Sequence, residues 1–171
     1  GNAAIHVRAE MSVDSGPDWV KVVRHMPDCQ PPPTYCEAWP FEGRIDRWQE
    51  IEFHVSHFLI WTGGMDVGSG DLGDPQRAGF HMRGFHGVTP ETDSTSFYFW
   101  TISSNRNPAR PDMKEKIHSA TAFTFDEDRL VIEAQFENVK RFPGNRMVWI
   151  QVDAAPNRAR QIVERLSTSG A

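Results

Sequence analysis

The sequence predicts an α+β domain in which a curved antiparallel sheet packs against one long helix. Several segments alternate apolar and polar residues with the period of two that is typical of half-buried strands. They precede a segment, 112–140, whose apolar residues repeat with a helical period. Strands followed by helices are typical of the α+β class. Because 171 residues is a usual size for one domain, we expect a single domain over 1–171.

The element boundaries follow from these periodicities and from the turn residues between them. Ser15-Gly16-Pro17-Asp18 predicts a turn, and glycine and aspartate make 63–76 a loop. Residues 26–43 hold five prolines and are predicted as a long loop with one short strand at Tyr35–Trp39. Further strands are predicted over 3–13, 19–23, 45–62, 77–88, 96–103 and 147–152, and helices over 112–140 and 154–166, the last with Asp153 as its N-cap.

The composition excludes some classes of partner. The net charge is −5 and the basic residues are scattered, so the chain has no general attraction for nucleic acid or for an anionic membrane. No apolar run approaches the roughly 20 residues that span a bilayer. We therefore expect a globular protein with neither nucleic acid nor membrane as its partner.

The two cysteines and one glycine motif carry little functional weight. Cys29 and Cys36 lie seven residues apart and fit no zinc or iron–sulfur spacing. A disulfide is geometrically possible, but two free thiols in a reducing, cytoplasmic compartment are the commoner arrangement. The motif GSGDLG at 68–73 matches a dinucleotide fingerprint, but a strand rather than a helix follows it.

The segment HMRGFHGVTPE, residues 81–91, contains two histidines at a spacing that suggests a metal clamp. Histidines four residues apart would share a helix face, but His81 and His86 are five apart, and Gly84, Gly87 and Pro90 disfavour a helix here. On a strand, five residues is an odd step, so the two rings point to opposite faces. The segment therefore predicts a strand and not a clamp.

Three side chains are candidates for a binding site because the periodicities place them on inner faces. His57 and His86 share the parity of the apolar residues on their strands, and Asp128 shares the face of Ile117 on the long helix. Each has an ordinary structural explanation: hydrogen-bonded core histidines, and an aspartate paired with Arg129 or Arg141. Together they indicate a ligand cavity and allow a two-histidine, one-carboxylate iron site.

Two motifs resemble the catalytic domain of Rieske non-haem iron oxygenases, in particular the vanillate and dicamba O-demethylase oxygenases. They are HMRGFHGVTPETDSTSFYFW, beginning at His81, and FDEDRLVIEAQ on the long helix. The similarity runs from the first strand to the last helix. It implies a helix-grip fold of the START/Bet v 1-like kind, with a curved antiparallel sheet around a long C-terminal helix.

The resemblance also implies roles for individual residues. Asp128 matches the aspartate that holds a mononuclear Fe(II), and is therefore the expected metal and catalytic residue. His57, His86, Ser119 and Thr124 are expected to line the substrate pocket. Ser119 stands where one relative has a pocket tryptophan, so the resemblance does not fix the substrate.

Other parts of such an oxygenase have no match in this chain. The family's two iron-binding histidines come from a D-x2-H-x4-H segment, and its [2Fe–2S] cluster from C-x-H and C-x2-H pairs, none of which is present. With Gly1 in place of a methionine, this suggests a fragment, inactive by itself, of a longer enzyme. The intact enzyme is expected to be a cytoplasmic homotrimer that takes electrons from a reductase or ferredoxin, uses O2, and hydroxylates or O-demethylates an aromatic compound.

Two alternative functions remain open from the sequence. The chain could be a stand-alone helix-grip protein that binds a hydrophobic small molecule without redox chemistry. It could also be a hydrolase or isomerase that uses His57 or His86 as a general base.

Overall fold

A computed structural model describes residues 9–144, 148 and 150–169, apart from the side chains of residues 151 and 169. It contains one six-stranded sheet in the order β1-β2-β3-β4-β5-β6, with every neighbouring pair antiparallel. The predicted α+β class is confirmed. The strands are β1 (Glu10–Ser15), β2 (Trp19–Cys29), β3 (Ile45–His54), β4 (His57–Asp66), β5 (Phe80–Pro90) and β6 (Ser96–Ser104), and the helices are α1 (Pro33–Ala38), α2 (Met113–Arg141) and α3 (Ala154–Ser169).

The region 45–62, predicted as one strand region, is a hairpin of two strands. β3 ends at His54 and β4 begins at His57, with Val55 and Ser56 forming the turn. The register then pairs His54 with His57 and Trp48 with Gly63. Directly opposed residues of an antiparallel pair share a face, so His57 lies on the same face as His54. The sequence prediction had instead continued the alternation of faces through the turn, which puts His57 on the face of Phe53.

One face of the sheet, here called the helix face, carries Met26, Phe80, Met82, His86 and Trp100. Its main core packs Phe80 against Met113 and Ile117 in the first half of α2. Tyr35 of α1 contacts Phe80 edge-on at 5.1 Å and shares a hydrogen bond of 2.8 Å with Thr62. Burial of these side chains fixes α1 and the start of α2 on this face.

The opposite face, here called the cleft face, carries Lys21, Glu50, Trp61, His81 and Arg83. A second, smaller cluster forms there from Trp48, Trp61 and Met65, and the loop between β4 and β5 contributes Leu72 to it. The sheet therefore has apolar packing on both faces, although the helix contacts described above lie on one face only.

Helix α2 packs against the sheet only through its first half. Met113 and Ile117 are buried and Phe125 is half-buried, but every residue from 126 to 144 is exposed. The exposed part still carries large apolar side chains, among them Leu130, Val131 and Ile132. The predicted long helix is confirmed, whereas its predicted inner face is buried over less than half of its length.

Three smaller predictions have different outcomes. The short strand predicted at Tyr35–Trp39 is wrong: α1 forms there, because Pro33 suits the first helical turn and Tyr35 and Ala38 bury against the core. The last helix is confirmed, and the predicted strand 147–152 ends instead in a 3-10 turn, Gln151–Asp153. Residues 3–8, 147 and 149 of the predicted strands lie outside the described residues.

Two further expectations concern the cysteines and the membrane. Cys29 and Cys36 are both free thiols, Cys29 being buried and Cys36 exposed. Among the described residues, no helix is long and apolar enough to cross a bilayer.

Candidate functional site

The candidate site lies on the helix face, where His86 is enclosed by aromatic rings. The His86 side chain is 4% exposed. Its ring stacks on Phe58 at 4.5 Å between centroids and meets Phe125 of α2 edge-on at 5.4 Å. Trp100, which lies opposite His86 in the register, contacts the same Phe125 at 5.1 Å. Strands β4, β5 and β6 thus bring one polar ring into an apolar, aromatic wall.

A hydrogen bond of 2.5 Å joins His86 Nδ1 to the hydroxyl of Tyr98. Burial lowers the pKa of His86 below its ordinary value of 6.5, so the imidazole is neutral at pH 7. Burial, and then the negative charge of Asp128, raise the pKa of Tyr98 above 10.0. The phenol therefore keeps its proton. We assign it as the donor to Nδ1, which leaves the proton of His86 on Nε2.

Asp128 is close enough to act on Tyr98 electrostatically, but it is exposed. It lies in the second half of α2, which is exposed and does not pack against the sheet. The sequence placed Asp128 correctly on the helix face that begins with Ile117, yet that face is buried only as far as Phe125. The expectation of an inward, buried carboxylate is therefore wrong for this structure, and its role as a metal ligand remains a prediction.

The other two predicted pocket residues of α2 are also exposed. Thr124 donates its hydroxyl to the carbonyl of Ala120 at 3.1 Å, within the helix. Ser119 lies beside His118, whose ring stacks on Trp100 at 4.9 Å. Both lie in the stretch of α2 nearest the aromatic wall, so their predicted role in substrate binding remains a prediction.

His57 does not share a face with His86. It lies on the cleft face, where its ring stacks on His54 at 5.0 Å and on Phe85 at 5.4 Å. The prediction that both histidines point inward together is wrong, because the turn at Val55–Ser56 reverses the parity of β4 relative to β3. The expectation that His57 contacts substrate therefore loses its geometric basis.

The structure keeps His81 and His86 on opposite faces, as the strand parity predicted. His81 is half-buried on the cleft face. Its Nδ1 accepts a hydrogen bond of 3.0 Å from the indole of Trp61, and its ring lies 5.0 Å from that of Trp48. Burial lowers the pKa of His81, so this ring is also neutral at pH 7.

The described residues do not form a metal centre by themselves. Nowhere in the described part of the chain do three histidine, cysteine, aspartate or glutamate side chains come together as a metal site requires. Asp128 acts electrostatically on Tyr98, and His86 Nδ1 is occupied by Tyr98. These residues do not fit a complete mononuclear iron site.

Sequence reasoning missed Tyr98, Phe58 and Phe125. Tyr98 lies in the predicted strand 96–103, but only the register between β5 and β6 places it on the face of His86. Phe58 was missed because the turn before β4 was not recognised. Phe125 lies off the centre of the predicted helix face and was not identified by the periodicity.

Comparison with known proteins identifies the family of this chain. A family model described as the vanillate O-demethylase oxygenase C-terminal domain matches residues 1–169. A vanillate O-demethylase oxygenase subunit of Pseudomonas sp. (strain HR199 / DSM 7063) is 29% identical over 87% of this chain and 44% of its own length. A putative toluene-4-sulfonate monooxygenase system iron-sulfur subunit of Comamonas testosteroni is 33% identical over 74% of this chain and 37% of its own length.

Solved structures show the same fold. Dicamba monooxygenase bound to 3,6-dichlorosalicylic acid superposes with a TM-score of 0.82 and 24% identity, over 97% of this chain and 49% of that one. Dicamba monooxygenase bound to dicamba gives a TM-score of 0.79 and 26% identity over 97% of this chain and 48% of that one.

This chain spans about half the length, or less, of these relatives. Their names describe oxygenase and iron-sulfur components. The family match covers nearly all of this chain, and the fold agrees with it. The chain therefore belongs to the family of vanillate O-demethylase oxygenase C-terminal domains.

Proposed function

We propose that this chain is the substrate-binding, catalytic-domain part of a Rieske oxygenase that hydroxylates or O-demethylates an aromatic compound with O2. The observation that carries the proposal is the neutral His86 within the aromatic wall of the helix face. Flat apolar walls with one fixed polar group suit an aromatic ring that bears an oxygen substituent. The relatives, named for vanillate, dicamba and toluene-4-sulfonate, support a substituted benzene as substrate.

The residues of this chain have distinct parts in the proposed function. Phe58, Trp100 and Phe125 hold the substrate ring and exclude water from it. His86, with its proton on Nε2, donates a hydrogen bond to a substrate oxygen and so orients the ring. In the intact enzyme Asp128 would supply one carboxylate to an iron centre, and the Fe(II) held there would provide the O2 chemistry.

The remaining parts of the centre are not among the described residues, and we infer that the chain alone binds Fe(II) poorly. The proposal for the intact enzyme also includes an electron donor of the reductase or ferredoxin class, a [2Fe–2S] cluster and a trimeric assembly. So does a cytoplasmic location, which the two free thiols support. Tight, stoichiometric Fe(II) binding by this chain would contradict the inference about iron.

The test of the proposed function is calorimetric titration of the chain with vanillate. We expect saturable binding that weakens at least tenfold in His86→Gln, since the glutamine loses the tautomer-fixed donor. His57→Gln is the matched control, because His57 lies on the opposite face, and we expect it to bind vanillate as the wild type does. Equal weakening in both variants, or none in His86→Gln, would contradict the proposal.

A non-catalytic binding protein for a hydrophobic ligand is the second candidate function. The second half of α2 exposes apolar side chains, such as Val131 and Ile132. They provide a further apolar surface, which favours a binding function. Such a protein would bind benzene derivatives regardless of their oxygen substituents. Toluene binding as tight as that of vanillate would favour this second function.

A further inference from the structure

A cleft of about 710 Å³ lies on the cleft face of the sheet, on the side away from His86 and α2. Its floor is formed by β2, β3, β4 and β5, and one wall is the loop between β4 and β5, including Leu72 and Pro75. No residue of the candidate substrate site lines it. The cleft is therefore separate from the proposed oxygenase site.

The cleft contains a buried guanidinium that is only partly satisfied. The side chain of Arg77 is 3% exposed, and its Nη2 donates to Glu50 Oε1 at 2.6 Å. Its Nε donates to the carbonyl of Asp74 at 2.7 Å, while Nη1 is buried without a hydrogen-bond partner in the described structure. A buried, unpaired donor on a cation is costly, and an anionic oxygen would satisfy it.

Three cations, Lys21, Arg77 and Arg83, line this cleft against two carboxylates, Glu50 and Glu52. Glu50 faces two cations, because Lys21 also reaches its other oxygen at 2.9 Å. Burial alone would raise the pKa of Glu50, but hydrogen bonds from Lys21 and Arg77 outweigh it, so the pKa is lowered and the carboxylate stays ionised. Arg83, which is exposed, has no ion pair within the described residues. The cleft thus presents a cation that no protein carboxylate neutralises.

The aromatic part of the cleft is held in place by the same cations. The guanidinium groups of Arg77 and Arg83 each lie 4.1 Å from the Trp61 ring. The indole nitrogen of Trp61 donates to His81, which fixes the ring. Val23, Leu59 and Leu72 add apolar walls. A flat apolar group could pack on these walls while its charged end meets the arginines.

We propose that this cleft is a binding site for a small aromatic anion, with its sulfonate or carboxylate at Arg83 and Arg77 and its ring against Leu59. Arg83 makes the first contact because it is exposed and unpaired. Arg77, buried beneath it, supplies the free Nη1. The proposal does not depend on the oxygenase activity, since the site lies on the other face of the sheet.

The test is calorimetric titration of the chain with benzenesulfonate, with two variants measured alongside the wild type. We expect Arg83→Gln to bind at least tenfold more weakly. Arg24→Gln removes an arginine from the helix face, where it donates to Gln49, and is expected to bind within twofold of the wild type. Loss of binding in Arg24→Gln with retention in Arg83→Gln would place the anion on the helix face and overturn the proposal.

Two further measurements keep the test decisive. Leu59→Glu puts a like charge at an exposed position of the cleft, so it is expected to reduce binding at least tenfold without disturbing the fold, which a thermal melt checks. Inorganic sulfate is expected to bind at least tenfold more weakly than benzenesulfonate, because it cannot use the apolar walls. Absence of benzenesulfonate binding to the wild type, or equal affinity for sulfate, would overturn the proposal.

Discussion

At the scale of single residues, the hydrogen bond between Tyr98 and His86 has the largest consequence for function. A neutral, buried imidazole can exist in two tautomers, and the partner of one nitrogen decides which nitrogen carries the proton. Because the phenol of Tyr98 keeps its proton and lies 2.5 Å from Nδ1, we assign it as the donor and place the His86 proton on Nε2. Tyr98 is thus a positioning residue for the donor that His86 offers to a substrate.

Replacing Tyr98 with phenylalanine tests this assignment. We expect Tyr98→Phe to remain folded, with a loss of about 1 kcal/mol from the missing hydrogen bond. In the wild type at pH 7, long-range ¹H–¹⁵N spectra should show His86 protonated on Nε2, and in the variant a mixture of tautomers. A wild-type spectrum with the proton on Nδ1 would contradict the assignment.

The pH dependence of stability follows from the same histidine and from His81. Burial lowers the pKa of both rings, so below about pH 6.5 the unfolded chain takes up protons that the folded chain does not. The free energy of unfolding should therefore fall between pH 7 and pH 5. Urea unfolding at the two pH values measures it. The fall in the free energy of unfolding should be smaller in His86→Gln, and smaller still in the double variant with His81→Gln. A fall in the double variant as large as in the wild type would contradict the explanation.

At the scale of elements, the close contact between the start of β5 and the β3–β4 pair depends on one glycine. A Cβ on Gly63 would lie 2.2 Å from the carbonyl of Phe80 and 2.2 Å from the ring of Trp48. Gly43, in the loop before β3, has nothing within 4 Å of the same position. The two glycines therefore form a matched pair for substitution by alanine.

We expect Gly63→Ala to destabilise the protein by about 1–3 kcal/mol. The new methyl group would clash with the backbone carbonyl of Phe80 and with the buried indole of Trp48, and neither can move away without disturbing the sheet. Gly43→Ala should change stability by less than about 0.5 kcal/mol. Chemical denaturation of the two variants measures both values. A loss from Gly63→Ala no greater than that from Gly43→Ala would mean that the strands separate easily at this point.

The elements also show how far the sequence could predict the site. Strand parity placed His86 on the inner face and His81 on the outer one, because the whole of β5 is one uninterrupted strand. The same argument failed for His57, since no glycine, proline or asparagine marks the turn at Val55–Ser56. It also failed for Asp128, because helical periodicity shows which face is apolar but not how far along the helix the sheet extends.

At the scale of the whole molecule, the fold and family could be inferred from the sequence more completely than the site. The order of strands and helices and two motifs led to a helix-grip oxygenase domain, and the family match and the superposition agree with that inference. The aromatic wall around His86 required the register of three strands and the position of α2. The register of β4 in particular places Phe58, and not His57, beside His86 in this wall.

The two faces of the sheet now have separate proposed roles. The helix face would bind an aromatic substrate beside His86, and the cleft face a small aromatic anion beside Arg83. The first role rests on buried rings and a tautomer-fixed donor, and the second on an unpaired cation and a buried guanidinium. Each face can be tested while the other is left unchanged, because their polar residues point in opposite directions.

The most direct test of the central claim is an amide and aromatic NMR titration of the labelled chain with vanillate. We predict saturable shifts of the resonances of Phe58, His86, Tyr98 and Phe125, with the Nε2 proton of His86 moving downfield as it donates to the ligand. Saturable shifts confined to the residues around Arg83, or no saturable shifts, would contradict the assignment of the helix face as the substrate site.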